Sequence, residues 1–178
     1  MDDLCRKAPE EFRQAEKLPI VVVLDNVRSQ HNIGSVFRTS DAFLVKSVYL
    51  CGISATPPNK EIHKSALGAE NVVAWQYFDN TQQAVEQLKT DGYAVWGVEQ
   101  TRNSTSLEDF CVKQNGRYAF VFGNEVRGID QQVIDGCEGC IEIPQFGTKH
   151  SFNVSVCAGI VLWECYQQMK KTGKRING

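Results

Sequence analysis

Residues 117–130 read RYAFVFGNEVRGID, and residues 141–164 read IEIPQFGTKHSFNVSVCAGIVLWE. Residues 118–122 and 141–143 are short β-type runs, and each empties into a polar loop that carries glycine. Loops at the carboxyl ends of strands are where open α/β sheets bind ligands. Gly123, Gly128 and Gly147 permit close backbone approach or positive φ. Ser151, Asn153 and Ser155 stand at the start of a long apolar run, where hydroxyls and amides cap the free N–H groups of a helix. Together these features predict a ligand pocket built largely from backbone.

Outward from this stretch, strands alternate with helices. Strands are expected at 20–24, 47–51, 72–77 and 93–98, ahead of the two already named. Helices are expected at 10–17, at 33–42 with Asn32 as N-cap, at 61–67, at 80–90 capped by Asp79, at 130–135 and at 155–171. Residues 20–24 are a continuous β-branched run, as in a strand buried on both faces. The alternation implies an α/β fold with a parallel sheet and helices on both faces. Physical reasoning alone stops at a doubly wound sheet.

The chain has 178 residues, 42% of them hydrophobic, which favours one domain with a sizeable core. No apolar run approaches the roughly 20 residues of a membrane span. Acids stand at the N-terminus where a signal peptide would be basic, so the expected location is cytoplasmic, with no membrane partner. Seven cysteines at irregular spacing suggest reduced thiols. A formal net charge of −2 means that any nucleic-acid contact must use local basic patches. Two are visible: Arg28 and Arg38 with Lys46, and the tail Lys170, Lys171, Lys174 and Arg175.

Three stretches also carry a resemblance: NIGSVFRTSDAF from Asn32, FGNEVRGI from Phe122, and IPQFGTKHSFNVSVCAGIVLWE from Ile143. In order and spacing they resemble the three motifs of the SpoU (TrmH-like) branch of the SPOUT RNA 2′-O-ribose methyltransferases. The resemblance implies a deep C-terminal trefoil knot, which nothing else in the sequence justifies, since knots are nearly absent from proteins. It divides the chain into an N-terminal helical extension at 1–18, a methyltransferase domain at 19–171 and a basic tail at 172–178. It also implies S-adenosylmethionine as cofactor, RNA as partner with tRNA ahead of rRNA, and a homodimer.

Residue by residue, the resemblance implies a catalytic group of Arg38, Asn32, Glu125, Ser151 and Asn153. Cofactor binding falls to Glu99, Gly123, Asn124, Gly128, Ile143, Pro144, Gln145, Phe152 and Ser155. The family usually has Leu at Phe152 and often Met at Gln145, so the pocket edge differs slightly here. Arg38 is the family's catalytic arginine, either as base or as a stabiliser of phosphate and developing charge. A guanidinium holds its proton strongly, which makes the second role easier. A carboxylate such as Glu125 could hold Arg38 in place.

The bland readings are a cap for Asn32, a solvated residue for Arg38 and a plain turn at Gly123. The final helix is apolar on nearly all sides, which predicts that part of it lies in a dimer interface. Two rivals stand beside the enzyme reading. One is a non-catalytic dimeric RNA-binding protein of the same fold. The other is a nucleotide-binding or redox module using Cys137 and Cys140; a zinc site needs four ligands and no second CxxC exists.

Overall fold

The computed structural model describes residues 8–148 and 151–171. Among the described residues there are seven strands: β1 Leu18–Asp25, β2 Val45–Cys51, β3 Trp75–Phe78, β4 Ala94–Val98, β5 Thr105–Ser106, β6 Tyr118–Phe122 and β7 Gly139–Glu142. The helices are α1 Pro9–Gln14, α2 Gln30–Ala42, α3 Lys60–Ala66, α4 Thr81–Thr90, α5 Gln131–Gly136 and α6 Val154–Lys171. The strands form one sheet in the order β3-β2-β1-β6-β4-β7-β5, with every pairing parallel.

The alternation of side chains along a strand sorts the core into two layers. Ile20, Val22 and Leu24 of β1, with Tyr118, Phe120 and Phe122 of β6, point to one face. There they meet Phe12 of α1, Ile33 and Phe37 of α2, and Ala158, Val161 and Leu162 of α6. Val21, Val23, Ala119 and Val121 point to the other face, against Ala84, Val85 and Leu88 of α4 and Val133 of α5. On β6 the first face takes Tyr118, Phe120 and Phe122, and the second takes Ala119 and Val121. Each fully buried side chain of the Leu, Ile or Phe class contributes about 1.5–3 kcal/mol.

Several local expectations are corrected. Asn32 is not the cap of α2: the helix starts two residues earlier, and Ser29 Oγ accepts the Asn32 N–H at 3.2 Å. That leaves the Asn32 side chain available for other partners. Asn80, not Asp79, caps α4, its Oδ1 accepting from Gln83 N. The third strand begins at Trp75 rather than at 72, because a 3-10 turn at Ala69–Asn71 follows left-handed Gly68 and draws Val72 and Val73 into its hydrogen bonds. The polar loop after β4 holds an unforeseen strand, β5, whose two residues pair with Ile141 and Glu142 of β7. No helix among the described residues is long and apolar enough to cross a membrane.

Because all strands are parallel, their carboxyl ends share one edge. The loops leaving Asp25, Val98, Phe122 and Glu142 therefore meet there.

Candidate active site

An open cleft of about 1210 Å³ lies at that edge. Val98, Phe122 and Ile141 line it from the strand ends, and Val154 and Cys157 from the first turn of α6. Ligand pockets commonly run to about 300–1,000 Å³, so this space can take a cofactor and part of a second reactant.

One wall is the loop at 123–130, which is tied to the rest of the molecule at each step. Asn124 Nδ2 donates to Asn26 O at 2.7 Å, and Asn124 Oδ1 accepts from Val126 N and Arg127 N. Glu125 Oε2 accepts from Arg28 N at 3.0 Å, and its Oε1 from Ser29 N at 3.0 Å and Asn32 Nδ2 at 3.3 Å. Ile129 N donates to Glu99 Oε2 at 3.1 Å, and Asp130 N to Asp25 Oδ2 at 3.3 Å. Asp25 is itself buried, with Thr81 and Asn26 as further donors.

Two glycines are demanded by this loop itself. A Cβ on Gly123 would stand 2.3 Å from Gly128 C and 2.4 Å from Ile129 N. Gly128 has φ +69°, and a Cβ there would meet Glu99 Oε2 at 2.3 Å. Gly147 needs neither device, having open space around it.

Asn32 joins this wall to the third motif. Its amide donates to Glu125, so its Oδ1 faces Asn153 Nδ2, which donates to it at 3.0 Å. A carboxylate accepts only, and that sets the orientation of both amides. Asn153 Oδ1 in turn accepts from Ser155 N at 2.9 Å and Ser155 Oγ at 2.7 Å, capping α6. Burial pushes the Glu125 carboxyl up, but the N–H bonds from Arg28, Ser29 and Asn32 outweigh it and hold the carboxyl below its ordinary value.

Of the expected catalytic group, Glu125, Ser151 and Asn153 line the cleft, and Asn32 reaches it through its two hydrogen bonds. Arg38 does not line it. It is exposed on α2, about 9 Å along the axis from Asn32 and about 120° around it. Among the described residues Glu125 pairs with Asn32 rather than Arg38. Of the expected cofactor residues, Glu99, Gly123, Asn124, Gly128, Ile143, Gln145 and Phe152 line the cleft, whereas Pro144 and Ser155 do not. Arg102, Arg127 and Cys157 line it without having been foreseen. An arginine in a polar loop carries no sequence signal that separates it from a solvated one.

Cys137 and Cys140 are free thiols. Burial pushes Cys137 up to about 12 and Cys140 upward too, the opposite of a reactive thiolate. Among the described residues no cluster of His, Cys, Asp and Glu could hold a metal ion.

A model of the SpoU rRNA methylase family matches residues 19–163. A protein of Staphylococcus haemolyticus assigned to the TrmH family of tRNA/rRNA methyltransferases is 32% identical over 168 residues, 92% of this chain and 66% of its own length. A TrmH-family protein of Staphylococcus aureus is 29% identical over 165 residues, 93% of this chain and 65% of its own. The chain thus spans slightly less than two thirds of these curated relatives. The crystal structure of the A. aeolicus TrmH/SpoU tRNA modifying enzyme superposes with a TM-score of 0.82 at 25% identity, over 95% of this chain and 87% of that one. An AdoMet-bound rRNA methyltransferase from Sinorhizobium meliloti shares the fold, with a TM-score of 0.79 at 23% identity over 92% of this chain and 62% of that one.

Proposed function

The chain belongs to the SpoU rRNA methylase family, and from that premise we propose that it transfers a methyl group from S-adenosylmethionine to a ribose 2′-OH of tRNA or rRNA. The observation that carries the reading is the Glu125–Asn32–Asn153 chain of hydrogen bonds. It joins three separate stretches of sequence at the mouth of one cleft.

The residues fit the cofactor. Glu99 and Glu142, both partly buried, line the cleft beside the apolar strand ends, and carboxylates complement a sulfonium and an ammonium rather than a phosphate. Backbone groups at Ile143 and Phe152 are assigned to the adenine. Glu99, Gly123, Asn124, Gly128, Pro144, Gln145 and Ser155 form or brace the surrounding loops. When bound, S-adenosylmethionine supplies an electrophilic methyl group.

Catalysis by this chain is then alignment and charge stabilisation. Glu125, held ionised by its three N–H donors, fixes Asn32; Asn32 fixes Asn153; Ser151 stands beside them. Arg38, kept as the family's catalytic arginine although it stands outside this chain's cleft, is assigned the RNA phosphate, a role that suits an exposed guanidinium.

The reading includes a homodimer. Val156 and Trp163 on α6 are 49% and 50% exposed, Ile160 lies between them, and a Cβ at Gly159 would meet open space. Trp163 also stacks with Tyr166 and packs against Phe43, the residue that ends α2. An exposed apolar stripe on the helix that opens at the cleft suits a second copy. The reading further includes the C-terminal knot, the domain bounds 1–18, 19–171 and 172–178, cytoplasmic action, and tRNA ahead of rRNA. The basic tail at 172–178 lies outside the described residues.

Calorimetric titration with S-adenosylmethionine and S-adenosylhomocysteine, with ATP and NAD as controls, tests the core of this. Selective binding of the two sulfur ligands is expected, followed by labelled methyl transfer into hypomethylated tRNA or rRNA. Equal binding of ATP, or none of either sulfur ligand with and without RNA, would overturn it.

A further inference from the structure

The cleft is lined by carboxylates and by two arginines, and the two kinds of charge are arranged differently. Glu99 is engaged from within: its Oε1 accepts from Gln100 N at 3.1 Å and its Oε2 from Ile129 N at 3.1 Å. Glu125 is likewise filled by N–H donors. Arg102 and Arg127 are exposed, and among the described residues neither guanidinium forms an ion pair. They are not there to neutralise the acids.

Both arginines stand on braced backbone. Arg102 follows Thr101, whose N–H donates to Ser104 Oγ at 3.3 Å and whose carbonyl accepts from that hydroxyl at 2.9 Å. Arg127 N donates to Asn124 Oδ1 at 3.1 Å within the tied loop. The two loops leave β4 and β6, which are neighbours in the sheet, so the guanidinia border one mouth from adjacent strands. A chain of net charge −2 has no general attraction for a polyanion. Two uncommitted guanidinia at the mouth supply it locally, and the planar fork of arginine matches a phosphodiester.

We propose that Arg102 and Arg127 grip backbone phosphates on the RNA strand that enters the cleft, positioning the target ribose between them. Both are positioning residues, since phosphate contacts set register without reading bases. The proposal rests on the methyltransferase reading. A rival anion for the same groups is the carboxylate of the cofactor's methionine moiety, and the experiment separates the two.

Fluorescence anisotropy with labelled bulk tRNA, over a series of salt concentrations, is run on the full chain and on Arg102→Ala, Arg127→Ala and Arg127→Lys, with S-adenosylhomocysteine calorimetry on each. Each alanine variant is expected to weaken RNA binding roughly tenfold and to lower the slope of log affinity against log salt by about 0.7–1. Affinity for S-adenosylhomocysteine should stay within about twofold of wild type. Arg127→Lys should keep the slope and lose only part of the affinity, because it keeps the charge and loses the fork. An unchanged slope in both alanine variants, or a tenfold loss of S-adenosylhomocysteine affinity with RNA binding intact, overturns the clamp. Failure of wild-type protein to bind S-adenosylhomocysteine would instead break the methyltransferase reading, and the anisotropy slopes would still decide whether these arginines hold RNA.

Discussion

The two loops that face each other across the cleft are built on opposite principles. The loop at 123–130 is over-determined: Asn124, Glu125 and Asp130 bond to the stretch 25–32 that leaves β1, and Ile129 bonds to Glu99 after β4. The loop that follows β7 is anchored at its far end by Asn153 and carries Phe146 into solvent, 97% exposed. One wall is set by hydrogen bonds before any ligand arrives, whereas the other carries an aromatic ring in water beside the cleft lining. A preorganised wall supplies orientation at no cost during reaction, whereas an uncommitted one can adapt to the substrate.

The sharpest way to break this contrast is Gly123→Ala. The new methyl would fall on the backbone of Gly128 and Ile129, so the tied loop cannot close. Methyl transfer should fall at least about 100-fold, and S-adenosylhomocysteine affinity should fall with it. If calorimetry shows normal affinity, the tied loop is not a wall of the cofactor site.

Glu125→Gln is the next largest. It replaces the acceptor that orients Asn32 with an amide, and turnover should drop by about tenfold with affinity for S-adenosylhomocysteine little changed. The substitution also tests a pH effect. A depressed carboxyl contributes stability above its ordinary value of 4.5, lost as pH falls through the lower folded-state value. Denaturant unfolding of Glu125→Gln should therefore show a shallower acid limb than wild type. An identical acid limb would mean that the N–H donors do not hold Glu125 ionised.

Phe146→Ala should have the smallest effect on the free protein. Its ring is in water, so unfolding stability should change by less than about 0.5 kcal/mol. Any loss should appear in the KM for RNA. A large loss of stability would mean that this tip packs on something, and the contrast between the walls would vanish.

Much of the fold is legible locally. Residues 20–24 read as a strand buried on both faces because they form a continuous β-branched run, and 118–122 read as a β-type run; in the fold both have two packed faces. A short helix reads at 130–135; it runs Gln131–Gly136, with Asp130 as its cap, Oδ1 accepting from Gln132 N. β5 was illegible: two residues in a polar loop hold no period, and only β7 beside them makes a strand. The local pattern offers Asn32 as a cap, because a short polar side chain before a helix is equally suited to either task; the resemblance alone points it toward the site. Ser29 took the cap, and the partners of Asn32 lie far away in sequence.

The sequence by itself determined which residues are apolar, at what period they recur, and where glycine permits a tight loop. These are properties of neighbours, set by backbone sterics and side-chain direction. The tertiary structure decided which loops meet. The strand order places β4 between β6 and β7, which no local pattern announces. Asn32 therefore bonds to Glu125 across 93 positions and to Asn153 across 121. Arg102 and Arg127 come to border one cleft for the same reason. Each is an ordinary polar-loop residue until the sheet closes and gives it an opposite wall.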